Sequence, residues 1–78
     1  MDIFSLKEYV GWFVRVVSSP EGMVEEGIFV GYDGPAYDPE EENDVIMIKH
    51  KYGYTCYRAQ DIAEFIPIRK ATKEEYEA

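Results

Sequence analysis

One cysteine (Cys56) and one histidine (His50) are all that 78 residues provide of the softer ligands. An internal disulfide is therefore excluded, and so is the usual four-ligand zinc site. Positive charge is also scarce: eight Lys and Arg face sixteen Asp and Glu, a net charge of −8. That balance argues against a general grip on nucleic-acid phosphates, where affinity comes from cations displacing counterions. No apolar run approaches the roughly 20 residues that span a bilayer. The start, Met1-Asp2-Ile3-Phe4, has neither the basic residues nor the apolar stretch of a signal peptide. These absences lead to the expectation of a cytoplasmic protein with no membrane partner, and a lone thiol suits a reducing compartment.

What is present is apolar and aromatic. Hydrophobic residues make up 46%, and seven Tyr, four Phe and one Trp are enough for a packed core. A chain this short buries only about 60% of the surface it exposes when unfolded, so its stability is marginal without a supplement. With disulfides and zinc excluded, oligomerisation is the supplement left open. The charge is also segregated. Residues 1–44 carry eleven acids against Lys7 and Arg15, whereas residues 45–58 carry Lys49, Lys51 and Arg58 and no acid.

Along the chain, Ser5-Leu6-Lys7-Glu8 has capping-box spacing and predicts a short helix closed by Gly11, with an extended lead-in as the plainer alternative. Trp12 to Ser18 reads as a strand with Val14 and Val16 on one face. After the turn Ser18 to Gly22, a second strand runs from Met23 to Tyr32, with Ile28, Val30 and Tyr32 sharing a face. Gly27 and Gly31 mark a bulge or bend in it. Asp33 to Asp44 is the one long loop, broken by Pro35 and Pro39 and solvated by Glu40, Glu41 and Glu42. Three further strands follow, over Val45 to Lys51, Tyr54 to Arg58 and Ile62 to Ile68. Residues 69–78 form a polar tail, either a short frayed helix or disordered. One helix and five short, bent strands predict a mostly β chain folded as a small barrel of the SH3 or OB kind, between which spacing does not choose.

Enzyme chemistry finds little support. Gly22 and Gly27 stand at P-loop distance, but Ile28-Phe29 follows where Lys and Ser or Thr would hold phosphate and magnesium. His50 lies between two lysines and reads as a solvent-facing strand residue with no nucleophile beside it. Cys56, between Thr55 and Tyr57, reads as a buried thiol. The run Glu40 to Glu42 points three ways and reads as solvated, not as a metal site. No catalytic residue, metal or cofactor is expected.

Two segments taken together are more informative. Leu6, Gly11, Val14, Val16, Gly22, Gly27, Phe29 and Asp33 form the first, and Tyr57-Arg58-Ala59-Gln60-Asp61-Ile62-Ala63-Glu64-Phe65 the second. Their order and spacing resemble the two motifs of the Sm and Sm-like (LSm) family. The resemblance covers roughly residues 5–68 and implies a domain over 1–68: a short N-terminal helix followed by a five-stranded, strongly bent SH3-like or Sm-like barrel. Two positions depart from the family pattern. The asparagine that should closely follow the aspartate is Asn43, ten residues after Asp33, which implies a loop insertion at about 34–42. Ala59 stands where the family has a glycine after the motif arginine.

The resemblance implies a homo-oligomeric ring of roughly five to seven or more protomers, the fourth strand of one pairing with the fifth of the next. Tyr54, Tyr57, Ile62, Phe65 and Ile66 are then the expected interface residues, unless they fill the protomer's own core. It also implies a site for short, U-rich single-stranded RNA at the inner rim. There Asn43 would read a base edge, Arg58 would stack on or hydrogen-bond the base, and Asp33 would orient Asn43. The family's stacking position falls on Glu41, which has no stacking face, and Tyr37 is the expected substitute. For Arg58 a salt bridge to Asp33 or Asp61 is the competing role. Two other readings suit the acidic balance: a protein-interaction scaffold without RNA binding, and an acidic protein that occupies a nucleic-acid-binding partner.

Overall fold

The computed structural model describes residues 1–35, 39, 40 and 42–77. Its elements run from an N-terminal 3-10 helix (Ile3–Tyr9) through β1 (Trp12–Ser18), β2 (Val24–Asp33), β3 (Val45–His50) and β4 (Gly53–Arg58) to a 3-10 turn (Ala59–Asp61), β5 (Ile62–Lys70) and α1 (Lys73–Glu77). The strands form one antiparallel sheet in the order β4-β3-β2-β1-β5. Pairing ends at β4 on one side and β5 on the other, so the sheet has two different edges.

The helix begins earlier than the capping-box spacing predicts. Asp2, not Ser5, caps it: its carboxylate accepts the Phe4 amide at 3.1 Å, while the Ser5 hydroxyl donates to the Asp2 carbonyl at 2.6 Å. An aspartate one position before the first turn satisfies an amide that would otherwise lack a partner. Gly11 ends the segment as expected. Its amide donates to the Phe29 carbonyl, and its own carbonyl accepts from Ala71 after β5.

The core is small and lies on one face of the sheet. Val14, Val16, Phe29, Ile46 and Ile48 are fully buried, with Ile3 and Ile62 close behind; Ile28 is buried as well but outside this cluster. Burying each such side chain stabilises the fold by about 1.5–3 kcal/mol. Val14 and Val16 alternate as the strand pattern predicts. β2 does not: Phe29 pairs with Ile48 and Gly31 with Met47, so Val30 is an extra residue in the ladder. The bulge puts Phe29 and Tyr32 on the core face together, where their rings meet edge to face at 5.3 Å. The expected face of Ile28, Val30 and Tyr32 is therefore corrected. Gly27 marks the bend for a different reason, since a Cβ there would collide with the Lys49 carbonyl oxygen and lie 2.7 Å from the Ile48 side chain. Only a residue without a side chain lets β3 cross so close.

β5 is also irregular. Its register against β1 shifts between Val17 and Ser18 and again between Phe13 and Val14, leaving Ala63 and Ile68 as extra residues. The first shift is why both Ile62 and Phe65 turn to the core, although they are an odd number of residues apart. The polar tail contains two further residues of β5 and then α1. Thr72 and Glu75 form a capping box, with Glu75 N–H to Thr72 Oγ1 at 3.2 Å and Thr72 N–H to Glu75 Oε1 at 3.0 Å. The Arg69 guanidinium donates to both oxygens of Glu75 at 3.0 Å and lies 4.4 Å over the Phe13 ring. Lys49 Nζ donates to the Tyr76 carbonyl, and Tyr76 Oη to that of Val30, so α1 is tied to β2 and β3. Among the described residues, no helix is long and apolar enough to cross a membrane.

Candidate functional site

Three of the four residues expected to contact RNA fall at one end of the sheet. Asp33 closes β2 and pairs with Val45, the first residue of β3; Val45 pairs in turn with Arg58, the last residue of β4. Two inter-strand steps put Asp33 and Arg58 roughly 10 Å apart at Cα. Asn43 is exposed two residues before Val45. The two ends of the long loop touch here: a Cβ on Gly34 would lie 2.5 Å from the Asp44 Cα and 2.7 Å from the Asn43 carbonyl oxygen. Asn43 thus enters β3 beside Asp33 although ten residues separate them in the chain. The fourth residue, Tyr37, and Glu41 lie outside the described residues.

The bond of Asp33 differs from the expected one, whereas that of Arg58 is one of the two competing pairings expected for it. Asp33 Oδ1 accepts the Gly34 amide at 2.8 Å, which fixes the carboxylate against the loop's first residue. Arg58 pairs with Asp61, not Asp33: Nε donates to Oδ2 at 2.8 Å and Nη2 to Oδ1 at 3.0 Å. Those bonds hold the Asp61 carboxyl below its ordinary range and raise the guanidinium. The fork uses two edge donors of Arg58 and fixes its plane, while leaving the faces of that plane out of the pairing. Ala59 packs against the core.

The five expected interface residues divide into two groups. Ile62 is 7% exposed and belongs to the chain's own core, and Phe65 and Tyr57 pack against that core. Phe65 meets Phe29 at 5.6 Å and Tyr9 at 6.2 Å between ring centres. Tyr54 on β4 and Ile66 on β5 are exposed, at 62% and 39%, one at each edge of the sheet.

A polar cluster lies at the other end of the core face. Glu25 Oε1 accepts the Tyr57 hydroxyl at 3.0 Å, and Oε2 accepts that of Thr55 at 3.1 Å. His50 Nε2 is 2.8 Å from Thr55 Oγ1 and 3.8 Å from Glu25 Oε2. Burial, then the bond to Glu25 and its charge, push the Tyr57 hydroxyl up to about 12. His50 is therefore half-buried and bonded, which corrects its solvent-facing expectation. It stands on the core face with Ile46 and Ile48, and Glu25 of β2 reaches it there. Cys56 is exposed, not buried, because Thr55 and Tyr57 take the inward positions of β4 and leave Cys56 the outward one. The signal for this cluster is an acid, Glu25, two residues before Gly27 and four before Phe29, all on one face. It becomes readable only once the register is known. Among the described residues, no group of three or more His, Cys, Asp or Glu could hold a metal ion.

Compared with known proteins, the chain matches no family model, no curated protein and no solved structure.

Proposed function

We propose that this chain is a ring-forming, Sm-like subunit that binds short, U-rich single-stranded RNA where Asp33, Asn43 and Arg58 meet, and that it acts by binding, not catalysis. The observation that carries this reading is the row Asp33–Val45–Arg58 with Asn43 beside it. Residues distant in sequence share one end of the sheet in the combination an RNA base needs. An amide side chain is there to read an edge, a carboxylate lies next to it, and a guanidinium held flat by Asp61 can stack. The bend at Gly27 and the bulge at Val30 support a sheet curved into an open Sm-like or SH3-like barrel. Its β4 and β5 edges differ, so pairing the β4 of one copy with the β5 of the next is head-to-tail and, where the rotation closes, gives a ring.

Filter binding to a uridine oligomer at two salt concentrations tests this reading. Arg58→Ala is expected to weaken binding by about 1–3 kcal/mol, the scale of one stacking contact. Asn43→Ala should relax the preference for uridine over adenosine more than it lowers affinity, because base-edge contacts specify. No binding by the unaltered protein at low salt would remove the RNA role.

One observation favours a second reading, a protein-interaction scaffold of the same architecture. The charge of Arg58 is already met by Asp61, on a molecule with a net charge of −8. An assembled ring without RNA affinity would establish that alternative.

A further inference from the structure

We propose that His50 is a protonation switch for the turn between β3 and β4. The argument rests on the direction of each hydrogen bond. The Tyr52 backbone N–H can only donate, and it points at His50 Nδ1 at 3.2 Å. Nδ1 must therefore carry the lone pair, and the neutral ring holds its proton on Nε2. Nε2–H then donates to Thr55 Oγ1, whose own hydrogen goes to Glu25 Oε2, while Tyr57 fills Oε1. The chain from Tyr52 through His50 and Thr55 to Glu25 has a single consistent direction and ties the turn to the start of β2.

Protonation breaks that order at one point. With hydrogens on both nitrogens, Nδ1 faces the Tyr52 amide as donor against donor, and this side-chain bond within the turn is lost while the His50–Gly53 pair that closes the hairpin remains. The imidazolium has an alternative partner, because Glu25 Oε2 is already 3.8 Å from Nε2. The groups around the ring decide where it goes. From β2 it faces the Glu25 carboxylate, whose other oxygen is taken by Tyr57, and from β4 it meets the neutral hydroxyl of Thr55. On the turn side are Lys51 and Tyr52. The Lys51 ammonium is 5.7 Å from the centre of the Tyr52 ring, which is itself 6.5 Å from the imidazole. Lys49, on the preceding turn of the strand alternation, is occupied by the Tyr76 carbonyl. A cation on the turn side and an anion on the β2 side draw the charged ring toward Glu25 and away from Tyr52. β4 begins at Gly53, so the change falls on the turn immediately before this edge strand, which stays paired to β3.

The test uses nitrogen-15 NMR, and the single histidine makes assignment unambiguous. Near pH 8 the ring nitrogens should report the Nε2–H tautomer. As the pH is lowered to about 5, the range over which histidine changes charge, the Tyr52 amide should shift with the imidazole titration. Its exchange protection should fall by roughly tenfold, the scale of one hydrogen bond. In His50→Asn, whose side-chain carbonyl can replace Nδ1 as acceptor but cannot be protonated over this range, the Tyr52 amide should not respond to pH. A neutral ring protonated at Nδ1 would overturn the proposal, as would a Tyr52 amide indifferent to the titration. The tautomer measurement needs no variant and stands if the substituted chains fail to fold.

Discussion

Phe29 and Tyr32 lie three residues apart on β2 and still face the same side of the sheet, because Val30 has no partner in the ladder with β3. This one extra residue decides which side chains of the second half of β2 reach the core. It also sets where the strand ends, since Asp33 takes its place opposite Val45 only in the shifted register. Deleting Val30 would restore plain alternation and turn Tyr32 away from Phe29. The outcome expected is loss of cooperative thermal unfolding, measured by near-ultraviolet circular dichroism.

Core and edge should respond differently to truncation. Ile48 is fully buried, and Ile48→Ala is expected to cost about 2–5 kcal/mol in urea unfolding. Ile66 is exposed on the β5 edge, so Ile66→Ala in the isolated protomer should fall within about 0.5 kcal/mol of the parent. Ile66→Asp should leave the protomer folded and, if that side chain is interfacial, disperse the ring in light scattering.

Gly27 tests the close crossing of β2 and β3. Gly27→Ala puts a methyl group against the Lys49 carbonyl, part of the ladder itself, with no flexible side chain to yield. Overpacking of this kind costs about 1–3 kcal/mol, to be read from the midpoint of denaturant unfolding.

Tyr57 gives an alkaline signature. Its hydroxyl is raised from 10.0 to about 12, so the folded state holds this proton more tightly than the unfolded chain. The contribution is fully present below pH 10 and is lost as pH rises through about 12. Phenolate absorbance should show one tyrosine titrating late, and Glu25→Gln should bring it back toward the others, because the carboxylate contributes both an acceptor and a charge.

Glu75 gives an acid signature of opposite sign. Arg69 and the Thr72 amide hold its carboxyl down to about 2, from an ordinary 4.5. Its contribution to docking α1 is present above about 4.5 and is lost as pH falls through about 2. Amide protection in Lys73–Glu77, taken relative to the intrinsic exchange rate at each pH, should fall across that window, and in Thr72→Ala, which removes half of the capping box, it should be lower at every pH.

Much of the architecture was legible from residue order. β1 and β3 alternate plainly, and Gly27 and Gly31 announce irregularity. The side on which β2 and β5 present their residues was not legible, because a bulge reverses the pattern and its position depends on the partner strand. Ile28 and Val30 therefore do not share a face with Tyr32 as plain alternation implies, whereas the outward place of Cys56 and the Glu25 cluster follow from the pairing of β4, which has no bulge. At the candidate site, Asp33 and Arg58 came from motif order, and the approach of Asn43 depended on a loop whose ends meet at Gly34. The choice of Asp61 over Asp33 as the partner of Arg58 required the 3-10 turn Ala59–Asp61, which carries Asp61 back to the end of β4.

The central claim joins assembly to RNA binding, and native mass spectrometry with and without a short uridine oligomer tests both at once. The account predicts a closed assembly of roughly five to seven or more protomers, head-to-tail through the β4 and β5 edges. On adding the oligomer, its mass should increase by that of bound RNA, and Arg58→Ala should reduce the bound fraction without changing protomer number. A monomer at every concentration, with no RNA bound, would contradict it.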